Sequence, residues 1–279
     1  MTSDRDTRVW LVTGASSGFG RAIVAAALAR GDSVVAGTRS TEAFGDLPDG
    51  VIPVALDVTA SDQREAAVAA TIERFGRVDV LVNNAGRTQV GAVEETTDDE
   101  LRSLFELHFF APAALTRLVL PHMRRQSGGA IVQMSSVGGQ TTAPGFGAYC
   151  ATKFALEGLT ETLHDEVAGF GIRTSIVEPG AFRTGLFRPG AAYESKAMSE
   201  YADTVGPTRS YVRDNDGLQP GDPAKAAQAI MAALDADEPP LRLVLGADAI
   251  GNIERRLESV ADELAAWRAV GEATALDEP

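Results

Sequence analysis

One cysteine, Cys150, and three histidines are all that 279 residues contain of the two most versatile metal ligands. A lone thiol excludes an internal disulfide and any cysteine-based zinc cluster, no metal site is expected, and the pattern fits a reducing compartment. Basic residues are also scarce: 25 Lys and Arg stand against 39 Asp and Glu, a formal net charge of −14. Such a chain repels polyphosphate backbones and anionic lipid, so neither nucleic acid nor a membrane is an expected partner. Long hydrophobic runs are missing too. The apolar 44% is spread through short stretches, which suits a soluble core rather than a membrane span. Met1 to Arg8 is polar and lacks the apolar core of a secretory signal, so a cytoplasmic location is expected. An anionic ligand must then be held by a local device, such as backbone N–H groups at a helix end, rather than by the overall field.

What the sequence does have is alternation. An apolar run over 8–13 ends at Gly14, and a helical pattern through Ile23, Val24, Ala27 and Leu28 follows until Gly31. Further strands are predicted at 33–38, 51–56, 78–82, 130–134, 173–177 and 241–245, and helices at 61–75, 98–126, 149–170, 223–234 and 250–267. The strands are short, nearly continuous apolar runs, as in sheets covered on both faces. That implies a parallel sheet with right-handed crossovers. One doubly wound α/β Rossmann domain of about seven strands, spanning 1–279, is the economical reading. The 98–126 helix is apolar on most faces, with Pro112 inside it, so a kink or break is expected there. Residues 186–221 are rich in Gly, Pro, Tyr, Ser and Asp without a clean period, and read as a substrate lid. The apolar surfaces of the helices at 104–123 and 154–163 exceed what one sheet face should cover, which predicts a homodimer or homotetramer.

At the first strand-to-helix junction stands Thr13-Gly14-Ala15-Ser16-Ser17-Gly18-Phe19-Gly20. Its glycines permit a tight turn and let a pyrophosphate approach the helix N-terminus; a purely structural turn is the competing explanation. The second strand ends at Gly37-Thr38-Arg39, where an NAD site would place an acidic side chain on the ribose 2′-OH. Arg39 instead offers a planar cationic fork for a 2′-phosphate, so NADP(H) is favoured over NAD(H), although a solvated surface arginine would look the same.

Tyr149 and Lys153 lie four apart on a predicted helix and so share a face. An adjacent ammonium and an oxidised nicotinamide both favour phenolate, bringing a phenol's pKa of about 10 nearer the working pH. With four Tyr and three Lys in 279 residues, chance supplies roughly 0.04 such pairs. Ser136, just after the preceding strand, belongs at the carboxyl end of the sheet, where its hydroxyl could hold a substrate carbonyl or simply form a turn.

From Val9 to about Leu245 the chain resembles a short-chain dehydrogenase/reductase of the single-domain type. Thr13 to Gly20 is similar to the family's TGxxxGxG turn, Asn83-Asn84-Ala85-Gly86 to its NNAG segment, Ser136 to its serine, Tyr149/Lys153 to its YxxxK pair, and Pro179-Gly180 to the turn beside the nicotinamide. The resemblance implies that Gly14, Ser16, Ser17, Gly18, Phe19 and Gly20 hold the cofactor. It further implies that Asp57 and Val58 face the adenine, that Asn83, Asn84, Ala85 and Gly86 flank it, that Thr184 meets the cofactor amide or phosphate, and that Lys153 bonds the nicotinamide ribose. One position departs from the pattern: His108 stands where the family has an Asn that anchors a water leading to the lysine. It could bond similarly or pack in the core. The stretch from Tyr149 to Gly158 resembles the steroid and retinoid dehydrogenase branch, which implies a small apolar carbonyl or secondary alcohol as substrate. Two rivals keep the fold: a regulatory protein that senses NADP(H), which has no need of Ser136, Tyr149 and Lys153 together, and an epimerase or dehydratase using the same pair.

Overall fold

Side chains along a strand point alternately to its two faces, and here the alternation feeds two cores. The computed structural model describes residues 7–41 and 50–276. In β1 (Val9–Thr13), Trp10 and Val12 enter one core while Leu11 enters the other. The pattern repeats in β2 (Ser33–Thr38), with Val34 and Ala36 opposed to Val35. It repeats again in β4 (Val80–Asn83), with Val80 and Val82 opposed to Leu81. This is why the strands read as unbroken apolar runs: both faces are covered. Each such Val or Leu side chain, fully buried, contributes about 1.5–3 kcal/mol.

With β3 (Val51–Ala55), β6 (Gly129–Met134), β7 (Ile172–Pro179) and β9 (Arg242–Leu245), these strands form one seven-stranded parallel sheet in the order β3-β2-β1-β4-β6-β7-β9. The first core lies under α1 (Gly18–Leu28) and α7 (Pro223–Asp235), where Ile23, Ala27, Ile230 and Met231 are buried. The second lies under α2 (Ser61–Phe75), α4 (Ala111–Arg125) and α5 (Gly147–Val167), through Val68, Leu115, Val119 and Leu163. The sheet is that of a Rossmann fold. Strand order reverses between β1 and β4, which opens a crevice at their carboxyl ends.

Three sequence expectations are revised. Of the kink or break expected at Pro112 in the 98–126 helix, the break is absent. The helix runs from α3 (Asp98–Phe105) through a π-helical turn, Glu106–Phe110, into α4. A proline lacks the N–H and clashes with the carbonyl four residues back; the π turn shifts the bonding to five back, as in Ala111 N–H to Glu106 O, just ahead of it. This stretch, Asp98–Arg125, is also long and apolar enough to cross a membrane, contrary to the sequence reading, but Leu115, Val119 and Met123 on it are packed into the sheet core. Finally, the 186–221 segment is not without regular structure. It holds β8 (Ala192–Glu194), paired in parallel with β5 (Thr88–Val90), and α6 (Ala202–Asp214). A three-residue strand carries no readable period, and Pro207 inside α6 hid the helix.

The last helix, α8 (Ala247–Glu272), extends beyond the predicted 250–267, and only Ala249 and Ile253 along it are buried.

Candidate active site

The crevice is built first from backbone. Thr13 Oγ1 donates to Val82 O at 3.2 Å and accepts from the N–H groups of Asn84 and Ala85 at 2.9 and 3.0 Å, which staples the end of β1 to the end of β4. Asn84 Nδ2 donates to the carbonyls of Thr13 and Gly14 at 2.8 and 3.1 Å. Against this staple the turn packs so closely that a Cβ on Gly20 would lie 2.3 Å from Gly14 O. Gly18 has φ +51°, and a Cβ there would sit 2.9 Å from Thr184 Cβ, so the turn after β1 meets the loop after β7. Ser17 starts α1 without a side-chain cap, and the first turn has no acidic residue. Its free N–H groups and positive dipole end suit an anion.

At the end of β2, Thr38 Oγ1 bonds Ser16 Oγ at 3.2 Å, and Arg39 is exposed beside the turn. Val58 is buried. Asp57 Oδ1 accepts from the N–H and hydroxyl of Thr59 at 2.9 and 2.7 Å. Those two bonds hold its carboxyl below the usual range, and Arg39 and Arg64 add attraction. One carboxylate oxygen of Asp57 is thus already committed.

The second part is built from side chains. Ser136 follows β6 and caps a 3₁₀ turn by accepting from Gly138 N–H at 3.1 Å, so the turn-forming role is real; its hydroxyl also reaches the Tyr149 side chain. Tyr149 and Lys153 share a face of α5, with Lys153 Nζ 5.8 Å from the Tyr149 ring centroid. Lys153 is buried and donates to Met134 O at 2.8 Å. Burial brings its ammonium down to about 8, against a counter-pull from Glu157. Burial likewise pushes the Tyr149 phenol up to about 12, with Ser136 opposing. In the protein alone the phenol is therefore raised rather than lowered: desolvation of the anion outweighs the hydrogen bond from Ser136.

His108 sits in the π turn, 1% exposed, with its ring edge-on to Tyr149 at 5.6 Å. Thr152 Oγ1 donates to Tyr149 O at 2.7 Å, so it accepts from His108 Nδ1 at 2.9 Å. His108 Nε2 in turn accepts from Arg87 N–H at 3.1 Å. Both ring nitrogens are satisfied by the neutral tautomer. Burial first, then the charges of Lys153 and Arg87, holds the imidazole well below its ordinary value. Packing and hydrogen bonding, posed as alternatives from sequence, coexist.

Ser136, Tyr149, Lys153 and His108 are thus brought together, and Gly14 to Gly20, Asn84 to Gly86 and Thr184 converge on the adjoining crevice. Asn83 departs: its side chain is buried toward Pro112 O and Thr116 Oγ1, each at 3.5 Å, rather than turned to the crevice. Residues missed from sequence are Thr152 and Asp248. Asp248, in the first turn of α8, accepts from Ala181 N–H at 2.8 Å and so fixes the Pro179-Gly180 turn. Asn84 lies in the Asn-Asn-Ala-Gly run expected beside the adenine and instead ties Thr13 and Gly14, whereas nothing local marks Asp248.

Residues 8–194 match the short chain dehydrogenase family. The chain belongs to the short-chain dehydrogenase/reductase family. It is 38% identical over 275 residues to oxidoreductase BOA17 of Botryotinia fuckeliana, covering 96% of this chain and 100% of that protein. A short-chain dehydrogenase structure from Streptomyces avermitilis is 56% identical with a TM-score of 0.92, over 98% of this chain and 100% of the other. A Burkholderia cenocepacia short chain dehydrogenase solved in complex with NADP is 27% identical with a TM-score of 0.70, over 98% of each chain. As a short-chain dehydrogenase/reductase, this protein is an oxidoreductase that uses a nicotinamide cofactor and a small-molecule substrate.

Proposed function

We propose that this protein is an NADP(H)-dependent oxidoreductase that moves hydride between the nicotinamide and the carbonyl or secondary-alcohol carbon of a small apolar substrate, with Tyr149 as the proton carrier. The observation that carries the reading is the meeting of Ser136, Tyr149 and Lys153 beside the crevice where β1 and β4 diverge. The residues present fit the cofactor: an uncapped helix N-terminus behind a turn that tolerates no side chain at Gly20, with Thr184 closing over Gly18. Gly14, Ser16, Ser17, Gly18, Phe19 and Gly20 would hold its pyrophosphate, and Asp57, Val58, Ala85 and Gly86 would border the adenine. Pro179, Gly180 and Thr184 would sit against the nicotinamide, and Lys153 would bond its ribose. When bound, the nicotinamide donates or accepts the hydride.

Arg39 supports NADP(H) over NAD(H), since among the described residues no carboxylate stands at the end of β2 to take a 2′-OH. Held near 12, the Tyr149 phenol keeps its proton at neutral pH. That is the form which donates to the oxygen of a carbonyl being reduced. Ser136 orients that oxygen, and neutral His108 buttresses Tyr149 through Thr152.

In the 186–221 segment, buried Arg209 bonds Glu95 at 2.7 Å and Glu194 at 3.1 Å, which anchors α6 and β8 to the loop after β5. This leaves the 182–191 stretch, with Phe182, Leu186 and Phe187, to act as the lid over the substrate. Single, buried Cys150 suits a cytoplasmic protein. Phe110 and Phe154 are exposed on the π turn and α5, and are suited to pair subunits.

Purified protein is expected to oxidise NADPH with members of an apolar ketone and aldehyde panel, followed by nicotinamide absorbance. Tyr149→Phe should abolish turnover while NADPH still binds by fluorescence titration. A full carbonyl and alcohol panel that leaves both NADPH and NADP unchanged would reject the enzymatic reading in favour of cofactor sensing.

A further inference from the structure

Helix α8 is set apart by how little of it is covered. Ala249 and Ile253 seat its first turns on the body, but every residue from Glu254 to Glu272 is exposed. About five helical turns standing in water are marginal unless an apolar face is packed. The apolar face is there. Ile250, Ile253, Leu257, Val260, Leu264 and Trp267 follow one another at alternating steps of three and four, the 3.5-residue repeat of a two-helix seam rather than the broader stripe of a helix lying on a globular core. Leu257, Leu264 and Trp267 are 57%, 63% and 68% exposed.

The charges beside the seam select what covers it. With Ile250, Leu257 and Leu264 in one set of core positions and Ile253, Val260 and Trp267 in the other, Glu254 and Arg268 flank the seam on one side, Arg256 and Glu263 on the other. Two identical helices laid antiparallel and centred between Glu258 and Ser259 stack Ile250 on Trp267 of the partner subunit. Leu257 then meets Val260 of the partner subunit, and Leu264 of the partner subunit lies level with Ile253, whose side chain is already packed on the body. In the same register Arg256 lies on the side of Glu263 of the partner subunit, about 3 Å away along the axis, and Glu254 on the side of Arg268 of the partner subunit, about 7.5 Å away along the axis and within the span of the two long side chains, each pair occurring twice by symmetry. Parallel pairing would match only Glu263 with Arg268 of the partner subunit and would leave Arg256 against alanine. A surface complementary to itself under a two-fold axis is what an isologous contact requires. We propose that α8 is a self-association surface that pairs antiparallel with α8 of a second copy of this chain.

Sedimentation velocity and light scattering of the full chain test this. Leu257→Asp/Leu264→Asp should halve the mass of the wild-type assembly, because both residues are exposed and their loss leaves the body folded. An unchanged circular dichroism melt of that body, together with retained NADPH binding, verifies this. Arg256→Glu and Glu263→Arg should each weaken association by about three- to tenfold, and the double charge swap should return it to within about twofold of wild type. An unchanged mass in Leu257→Asp/Leu264→Asp overturns the proposal, as does a double swap that stays as weak as the single ones. An Arg256→Glu variant that associates normally rejects the antiparallel register.

Discussion

The two halves of the crevice are made of different materials. Around β1 and β4 the working surface is backbone: N–H and carbonyl groups stapled by Thr13 and Asn84, with glycines at the points of closest approach. Around β6, α5 and β7 it is side chain, and the side chains are ionisable and buried: His108, Lys153, Glu157 and Glu178, next to the Tyr149 phenol. The first half fails when volume is added, whereas the second fails when chemistry is changed at constant volume. Binding and turnover should therefore separate under mutation.

The sharpest contrast pairs Tyr149→Phe with Gly20→Ala. Removing one phenol oxygen deletes the proposed proton carrier and should lower kcat about 10³-fold, within the range expected of general acid–base catalysis, while the Kd for NADPH stays within about twofold. One added methyl at Gly20 meets Gly14 O at 2.3 Å and Asn84 Nδ2 at 2.6 Å, forcing the turn open. It should cost about 1–3 kcal/mol of stability by overpacking and weaken NADPH binding at least as much as it lowers kcat. Fluorescence titration and thermal melts of both variants give the answer, and equal losses of binding in the two would erase the distinction.

Arg39→Ala sharpens the comparison at the rim. Arg39 is exposed and lends Asp57 a minor attraction, so in the proposed NADP(H) reading its charge serves chiefly a 2′-phosphate. The KM for NADPH should rise about tenfold, roughly 1.4 kcal/mol, with kcat and the KM for NADH little changed. A parallel rise for both cofactors would mean that Arg39 does not read the phosphate.

How much was legible beforehand follows the same division. Alternating apolar strands and the Gly14 to Gly20 turn were readable because local sequence dictates both. Tyr149 and Lys153 were readable because helical spacing alone puts them on one face. The state of the phenol was not: its shift arises from burial by elements remote in sequence, such as the Ser136 turn and the π turn carrying His108. Asp248 was invisible for the same reason, reaching Ala181 across 67 residues. Helix α6 was concealed by composition, since its Pro207 and polar content mimic a loop, and it is held instead by Arg209 on buried Glu95.

Beneath the catalytic half lies a group of charges with no counterpart described at the glycine turn. Ser135 Oγ donates to Glu157 Oε1 at 2.5 Å, Gln140 Nε2 donates to both Glu178 oxygens at 2.8 Å, and Arg242 contacts both glutamates, at 3.3 and 3.1 Å. Burial first, and then the neighbouring Glu157, raises Glu178 to about 7. A carboxyl whose folded pKa exceeds its unfolded value near 4.5 leaves stability intact below 4.5. Between 4.5 and 7 the unfolded chain releases a proton that the folded one keeps, so stability is lost as pH rises. Glu178→Gln copies the neutral acid at all pH values. Its Tm should lie close to that of wild type at pH 5 and gain on it steadily up to about pH 7.5, with the smallest effect on kcat of any substitution considered. Tm curves that run parallel across that window would show that Arg242 already keeps Glu178 ionised. The buried charge would then be a fixed strut joining α5, β7 and β9, with no titration in the neutral range.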